Sequence, residues 1–279
     1  MELIDGNYLA AQIYQTFPGR LEKLGHPPVL ADIIVGNDPV ALSYVRIKTR
    51  TAKARGLEFH AAQLPGESSL EQIQQAIMDV QQEPNIAGVI VQLPLPAQID
   101  QAVALAPLNP DMDVDCIGPK MSHLFYGGRA PWLPPTAGGI WEILKSLPVD
   151  FKQQKIAVVG QGELVGKPIT YLLREAGCEV VTATQADSDL GSILKDADIV
   201  ISGTGRGGLI TGDLLKVGAI VIDAGTSESN GGIIGDVDKD SVAGRASWLS
   251  PVPGGVGPVT VAKLLDNVIT AAERLAVQS

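Results

Sequence analysis

The sequence predicts an α/β protein built as two lobes, and three observations predict it. Short apolar runs rich in Val and Ile alternate with helical segments through the first part of the chain. A proline- and glycine-rich stretch, GGRAPWLPPTAGG (127–139), then interrupts the alternation. Beyond it the alternation resumes as strand, glycine turn and helix, followed by three further apolar runs. The length of 279 residues suits two domains better than one.

Each element can be justified in order. GNYLAAQIYQTFPGRLEKLG reads as a helix ended by Gly25, and PVLADIIVG as a strand of the parallel type, buried on both faces. SYVRIKTRTAKARG (43–56) is helical and stops at Gly56, and LEFHAAQLP is a second strand. SSLEQIQQAIMDVQQEP opens with Ser68-x-x-Glu71, the spacing of a capping box. IAGVIVQLPLP is a third strand, stopped by Pro94 and Pro96. Strand–helix alternation implies right-handed βαβ units and a parallel sheet. After the 127–139 connection, GIWEILKSLP reads as a helix bridging the lobes. EVVTAT, ADIVISGTG and GAIVIDAG read as three more buried strands, and ESNGGIIGDVD as a small hairpin turned at Asn230-Gly231. GPVTVAKLLDNVITAAERLA is a long amphipathic helix expected to pack back on the first lobe. The lobes are therefore drawn as 1–137, joined by the helix 258–279, and 138–257.

Bulk chemistry narrows the function classes. The hydrophobic fraction of 45% is ample for a core, and the net charge of −10 argues against general nucleic-acid binding. Cys116 and Cys178 form no close pair, so no structural disulfide is expected and a reducing cytoplasm fits best. His26, His60 and His123 are scattered, so no metal site is expected. MELIDGNYLA lacks a basic start followed by an apolar run, and no window reaches the ~18 apolar residues of a membrane span. The reading is a soluble cytoplasmic protein.

Gly160, Gly162 and Gly166 follow an apolar strand in the order G-x-G-x-x-x-G. Glycines let the backbone approach a pyrophosphate, and the helix N-terminus behind them favours the anion. In this strand–turn–helix setting the second lobe is of the Rossmann dinucleotide-binding type. Lys167 invites a phosphate-loop reading, which fails because the spacing is wrong and Pro168 stands where a Mg²⁺-binding Ser or Thr belongs. The next strand ends at Thr184 and Gln185, with Asp187 and Asp189 slightly late and no arginine ready for a 2′-phosphate. NAD against NADP stays open.

In the first lobe Tyr44 and Lys48 are spaced i, i+4 and share a helical face. The plain reading is a lysine stem lying over a packed tyrosine. Three features point to chemistry instead. Gln92 ends a strand, where ligands bind in open α/β sheets. Asp111, Asp113 and Asp115 crowd one turn; such a run is usually solvated, but a carboxylate can also grip a guanidine-like heterocycle edge with two hydrogen bonds. SPVPGGVGPVT (250–260) has three prolines and three glycines, more special backbone than a simple turn requires.

YVRIK, VQLPLP, DVD, LPPTAGG, VVGQGELVGKP, ADIVIS, GAIVID, GDVD and PVPGGVGPVT occur in that order along nearly the whole chain. The set resembles the bifunctional methylenetetrahydrofolate dehydrogenase/methenyltetrahydrofolate cyclohydrolase (FolD) family. The resemblance implies an N-terminal substrate lobe, a C-terminal Rossmann-type lobe and a folate in the cleft between them. It implies oxidation of 5,10-methylenetetrahydrofolate with NADP or NAD, then hydrolysis of the methenyl product to 10-formyltetrahydrofolate. Lys48 is the implied central catalytic group, Gln92 its positioner, Tyr44 the flank of the folate rings and Asp115 the grip on the pterin. Leu93, Pro253, Gly254 and Gly255 are implied to line the substrate. Gly160, Gln161, Gly162, Val165, Gly166, Thr184, Gln185, Thr204, Gly205 and Thr226 are implied to meet the dinucleotide. A homodimer through the second lobe is also implied, with no nucleic-acid or membrane partner. To exchange protons near neutral pH a lysine must be desolvated or near cations, and Arg46 and Lys53 are the nearby candidates in sequence.

Several positions depart from the family. Gly160-Gln161-Gly162 stands for Gly-Arg-Ser, and Thr184-Gln185 for His-Ser, removing groups that usually hold the 2′-phosphate. Cys116 stands for the glycine after Asp-Val-Asp, Ala41 for the serine before the tyrosine, and Pro134-Pro135-Thr136-Ala137 for Pro-Cys-Thr-Pro. Thr226 replaces the usual Ile after VIDAG. Two alternatives follow: a cyclohydrolase with weakened dehydrogenase activity, and a folate- or dinucleotide-binding protein without turnover.

Overall fold

The computed structural model describes residues 1–184, 190–229 and 232–278. Two compact units emerge, one of Gln12–Pro135 with the chain from Leu264, the other of Met1–Ala11 with Thr136–Lys263.

In the first of these, Val29–Val35 is the middle of a three-stranded parallel sheet, flanked by Glu58–Leu64 and Ile86–Val91. Val29–Val35 and Ile86–Val91 are buried almost throughout, while Glu58–Leu64 at the edge alternates between exposed and half-buried residues. Ile33, Ile73, Ile77, Val89 and Leu105 form the core between sheet and helices. Burying such side chains stabilises by roughly 1.5–3 kcal/mol each. The helix Pro39–Ala54 starts where Asp38 accepts the Ala41 N–H, with a proline in its first turn, where a missing N–H costs nothing. The capping box lies one residue later than the sequence reading placed it. Ser69 accepts the Gln72 N–H, and Gln72 Oε1 accepts the Ser69 N–H, while Ser68 bonds Pro65 O. The single N-terminal helix read from sequence is two, Gly6–Tyr14 and Phe17–Leu24, because Pro18 suits the first turn of a helix rather than its interior.

The other unit carries a six-stranded parallel sheet in the order Glu2–Leu3, Trp248–Ser250, Ile220–Asp223, Ile199–Ser202, Lys155–Val159, Glu179–Ala183. Glu2–Leu3 and Trp248–Ser250 are strands that sequence reading did not assign; they are too short to show a period. Glu2–Leu3 pairs in this sheet, and Met1–Ala11 counts with its unit, whereas the sequence reading counts these residues with the first lobe. Glu179–Ala183 is an edge strand with alternating exposure, not a buried one as its composition suggested. Ser227–Ser229 and Gly232–Ile234 pair antiparallel, and their turn at Asn230-Gly231 lies outside the described residues. Val159, Val200, Val221, Leu194 and Leu249 pack the core. The helix Pro135–Ser146 begins within LPPTAGG, earlier than expected, with a proline at its first position. Val256–Gln278 is the last helix, counted with this unit as far as Lys263. No helix among the described residues is long and apolar enough to cross a membrane.

Candidate active site

Lys48 lies in the third turn of the helix Pro39–Ala54 and is only 7% exposed. A lysine is seldom buried this far without partners. Its Nζ donates to Gln92 Oε1 at 2.7 Å and stands 2.5 Å from Asp32 Oδ2. Gln92 directly follows the strand Ile86–Val91, and its N–H continues the ladder to Ile33 O at 2.8 Å. The amide is thus fixed by the sheet at the C-terminal end of a strand. Tyr44, half-buried, precedes Lys48 by one helical turn.

Asp115 belongs to a turn tied down on several sides. Val89 donates to Met112 O at 2.8 Å and bridges Asp113 in parallel fashion. Trp132 Nε1 donates to Asp113 O at 3.0 Å, and the buried Asn267 Nδ2 to Val114 O and Leu133 O, both at 2.9 Å. The Asp113 carboxylate accepts the N–H groups of Ile117 and Gly118 at 3.2 and 2.7 Å. Asp113 is therefore consumed in building the loop, and Asp111 stands 3.8 Å from Arg274. Of the three carboxylates read from sequence, Asp115 is the one whose charge is felt by Lys48 and Asp32. Burial pushes its pKa to about 6, with Asp32 adding to the rise and Lys48 opposing it. Cys116 takes φ 59°, the left-handed region natural to a glycine.

The environment of Lys48 differs from the sequence expectation. Arg46 and Lys53 are exposed, and the charged group touching the ammonium is a carboxylate. Asp32 is 0% exposed in the middle strand, and burial raises its pKa against the opposing pull of Lys48. Sequence reading missed it, although a charged residue inside VLADIIV was the available signal. Leu93, half-buried, follows Gln92 and precedes Pro94 through a cis peptide bond.

The glycine turn sits in the other unit, between Lys155–Val159 and the helix Gly166–Glu175. Gly160 has φ 89°, and a Cβ there would come within 2.6 Å of Gly203 O. A Cβ on Gly166 would come within 1.9 Å of Gly160 O. These two positions require glycine, whereas a Cβ on Gly162 would meet nothing within 4 Å. No side chain caps this helix, but the Lys167 N–H donates to Gly162 O at 3.1 Å and Pro168 carries no N–H, so of its first three positions Gly166 alone can offer an N–H to an anion. Gln161 turns inward, donating to Gly160 O at 2.8 Å and Thr170 Oγ1 at 3.3 Å. Val165 packs where a Gly203 Cβ would sit. Thr204 N–H donates to Asp236 at 2.6 Å, Gly205 has φ 68°, and Thr226 is exposed. Thr184 directly follows the strand Glu179–Ala183, and Gln185 lies outside the described residues. Gly254 has φ 104° and accepts the Gly6 N–H at 2.9 Å, next to Pro253 and to Gly255, whose N–H donates to Pro251 O at 2.7 Å. The structure thus brings Lys48, Gln92, Asp115 and Asp32 together in one unit and keeps the glycine turn and Pro253–Gly255 in the other. No cluster of metal-ligating side chains is present among the described residues.

Residues 4–115 match the catalytic domain of tetrahydrofolate dehydrogenase/cyclohydrolase, and residues 134–276 match its NAD(P)-binding domain. The chain belongs to the tetrahydrofolate dehydrogenase/cyclohydrolase family. The bifunctional protein FolD of Cupriavidus necator is 39% identical over 99% of both chains. The crystal structure of FolD from Campylobacter jejuni superposes with a TM-score of 0.92 at 31% identity, covering 99% of each chain. That of Trypanosoma brucei FolD, complexed with NADP cofactor and inhibitor, gives 0.93 at 33% identity over 99% of this chain and 98% of that one. Within the family match, the catalytic domain takes in Tyr44, Lys48, Gln92 and Asp115, and the NAD(P)-binding domain takes in the Gly160 turn.

Proposed function

We propose that this enzyme oxidises 5,10-methylenetetrahydrofolate with a nicotinamide dinucleotide and hydrolyses the methenyl product to 10-formyltetrahydrofolate. The observation that carries the reading is a buried lysine hydrogen-bonded to Gln92 and electrostatically coupled to Asp115, in a chain with full-length family similarity.

The chemistry asks for a proton carrier. Water adds to the methenyl carbon and loses a proton; as the bond from that carbon to N5 breaks, N5 gains a proton and the new hydroxyl gives up its own to become the formyl oxygen, so one proton is released overall. Lys48 is that carrier, and Gln92 Oε1 holds its Nζ in register. Asp115 accepts two N–H groups from the amino-pyrimidine edge, a geometry suited to a carboxylate. Tyr44, one turn away, flanks the rings. The glycine turn fits a dinucleotide, since Gly160 and Gly166 bring backbone close together and no side chain stands over the start of the helix. A bound nicotinamide would supply the hydride acceptor. Gln161 is engaged with Gly160 O and Thr170 and offers no cation to a 2′-phosphate, so both NADP and NAD belong in the assay.

The test is direct. Protein is mixed with methylenetetrahydrofolate and NADP or NAD, and methenyl absorbance is followed. Appearance and decay are expected. Appearance without decay leaves a dehydrogenase alone; decay of supplied methenyl compound without its formation leaves a cyclohydrolase alone; binding without either marks a non-catalytic protein. A cytoplasmic homodimer completes the reading, supported by family resemblance. Sedimentation at the monomer mass would remove the dimer, and recovery outside the cytoplasmic fraction would remove the location.

A further inference from the structure

The geometry points to Asp32 as a positioning residue for hydrolysis: its carboxylate holds Lys48 Nζ and takes the lysine's proton when the amine must act as a base. This inference rests on the role proposed for Lys48. Three observations carry it. Asp32 Oδ2 stands 2.5 Å from Nζ. The carboxylate is 0% exposed on the central strand, with Ala61 and Ile90 as its strand neighbours. Among the described residues neither of its oxygens has a well-formed hydrogen bond, and Lys48 is the one close polar partner.

Buried polar groups are ordinarily satisfied, and an exception asks for an explanation. A structural aspartate is surrounded by donors, as Asp113 is by Ile117 and Gly118. Among the described residues Asp32 has its ammonium partner and no such donors. In such a dry setting an ion pair loses much of its solvation, and transferring one proton from Nζ to Oδ2 removes both charges at once. The step balances: Lys48–NH₃⁺ and Asp32–COO⁻ become Lys48–NH₂ and Asp32–COOH, with no co-reactant. The free amine then accepts the proton of the attacking water; the ammonium so formed gives a proton to N5 as N5 leaves the one-carbon unit, Asp32–COOH returns its own to the amine, and the hydroxyl proton of the carbinolamine is released to solvent, which restores Lys48–NH₃⁺ and Asp32–COO⁻.

The ionisable groups facing the pair can be named. Asp115 approaches from its loop, and its charge is coupled to both partners. Gln92 approaches from the strand end and is not titratable. Tyr44 lies one turn back on the lysine's helix. On the edge strand His60 is engaged with Glu83 instead. At acid pH, Asp32 is protonated before turnover and cannot receive the lysine's proton, so hydrolysis falls on the acid side with Asp32 setting part of that limb.

The test measures kcat and KM for hydrolysis of the methenyl compound from acid to alkaline pH in Asp32→Asn, which keeps a polar partner for Nζ but cannot take its proton. Hydrolytic kcat is expected to fall about 10²-fold, the scale of one proton-transfer group, with KM little changed and the acid limb displaced. Hydride transfer is expected to fall far less, and Asp32→Glu to restore part of the lost rate. A profile superimposable on the parent's, or a fall uniform across pH with the limb in place, overturns the inference. Asp32→Val, read the same way, replaces Asp32→Asn if the amide variant does not fold. Failure of both to fold reduces Asp32 to a folding element and overturns it as well. Lys48→Met separates the two readings. If Lys48→Met abolishes hydrolysis while Asp32→Asn does nothing, the lysine stands and Asp32 falls; if Lys48→Met still hydrolyses, the underlying reading falls first.

Discussion

Both units bury aspartates against their parallel sheets, and Asp32 in one is held in the opposite way to Asp223 and Asp236 in the other. In the unit with the glycine turn, Asp236 accepts from Ser202 Oγ at 2.7 Å, Thr204 N–H at 2.6 Å and Arg206 N–H at 2.9 Å. Asp223 beside it accepts the N–H groups of Gly225, Asp236 and Val237. These carboxylates fasten loops that leave the sheet, and a Cβ on Gly225 would fall 2.0 Å from the Asp236 carboxyl. In the other unit Asp32 has, among the described residues, no backbone donors and a single ammonium. The difference teaches how to tell a staple from a reagent. A carboxylate enclosed by N–H groups is committed to structure, while one left with a single titratable partner is available for proton traffic.

The comparison can be broken or sharpened by experiment. The largest effect is expected at the partner of the under-bonded carboxylate: Lys48→Met should cost hydrolysis between about 10²- and 10⁴-fold. Circular dichroism should show the fold intact, and methenyl decay supplies the rate. Next, Asp236→Ala should destabilise by roughly 3 kcal/mol, since buried donors lose their acceptor at about 1–3 kcal/mol each. Urea unfolding followed by fluorescence checks it, and an unchanged midpoint would mean that Asp236 is no staple.

The pH dependence is smaller and has a definite sign. Burial pushes the pKa values of Asp223 and Asp113 to about 7, above the ordinary carboxylate value of 3.8. The native state therefore holds protons that the unfolded chain has released. Their contribution to stability is fully present below about 4 and is lost as pH rises toward 7. Asp223→Asn should flatten that part of the Tm-against-pH curve; a curve of unaltered slope would remove the assignment. Asp115, with a pKa of about 6, gives a parallel effect on binding. It is ionised above that pH, so KM for the folate should climb as pH falls below about 6, and a flat KM would separate Asp115 from pterin recognition. The smallest effect is expected at Gly162→Ala, which should change stability by no more than about 1 kcal/mol, because a Cβ there meets nothing. Gly166→Ala, whose Cβ would strike Gly160 O, is the contrasting control.

Much of this was legible along the chain because it is local. Strand–helix alternation, the glycine turn and the helix bearing Tyr44 and Lys48 depend on periodicity and backbone freedom over a few residues. The capping box slipped by one because Ser68 and Ser69 offer the same chemistry, and hydrogen-bond geometry alone separates them. The exposure of Glu179–Ala183 is not legible in the sequence because an edge strand and an inner strand can share one composition. The short strands Glu2–Leu3 and Trp248–Ser250 acquire their meaning from each other, across most of the chain length.

By itself, then, the sequence determined two α/β units, the phosphate-type turn and the lysine, glutamine and aspartate as candidates for chemistry, because each is written in spacing between near neighbours. Tertiary structure alone decided which carboxylate meets Lys48. Asp32 and Lys48 sit on different elements, and their 2.5 Å approach is fixed by the rotation of a helix against a sheet, a non-local outcome of packing that no window of sequence contains.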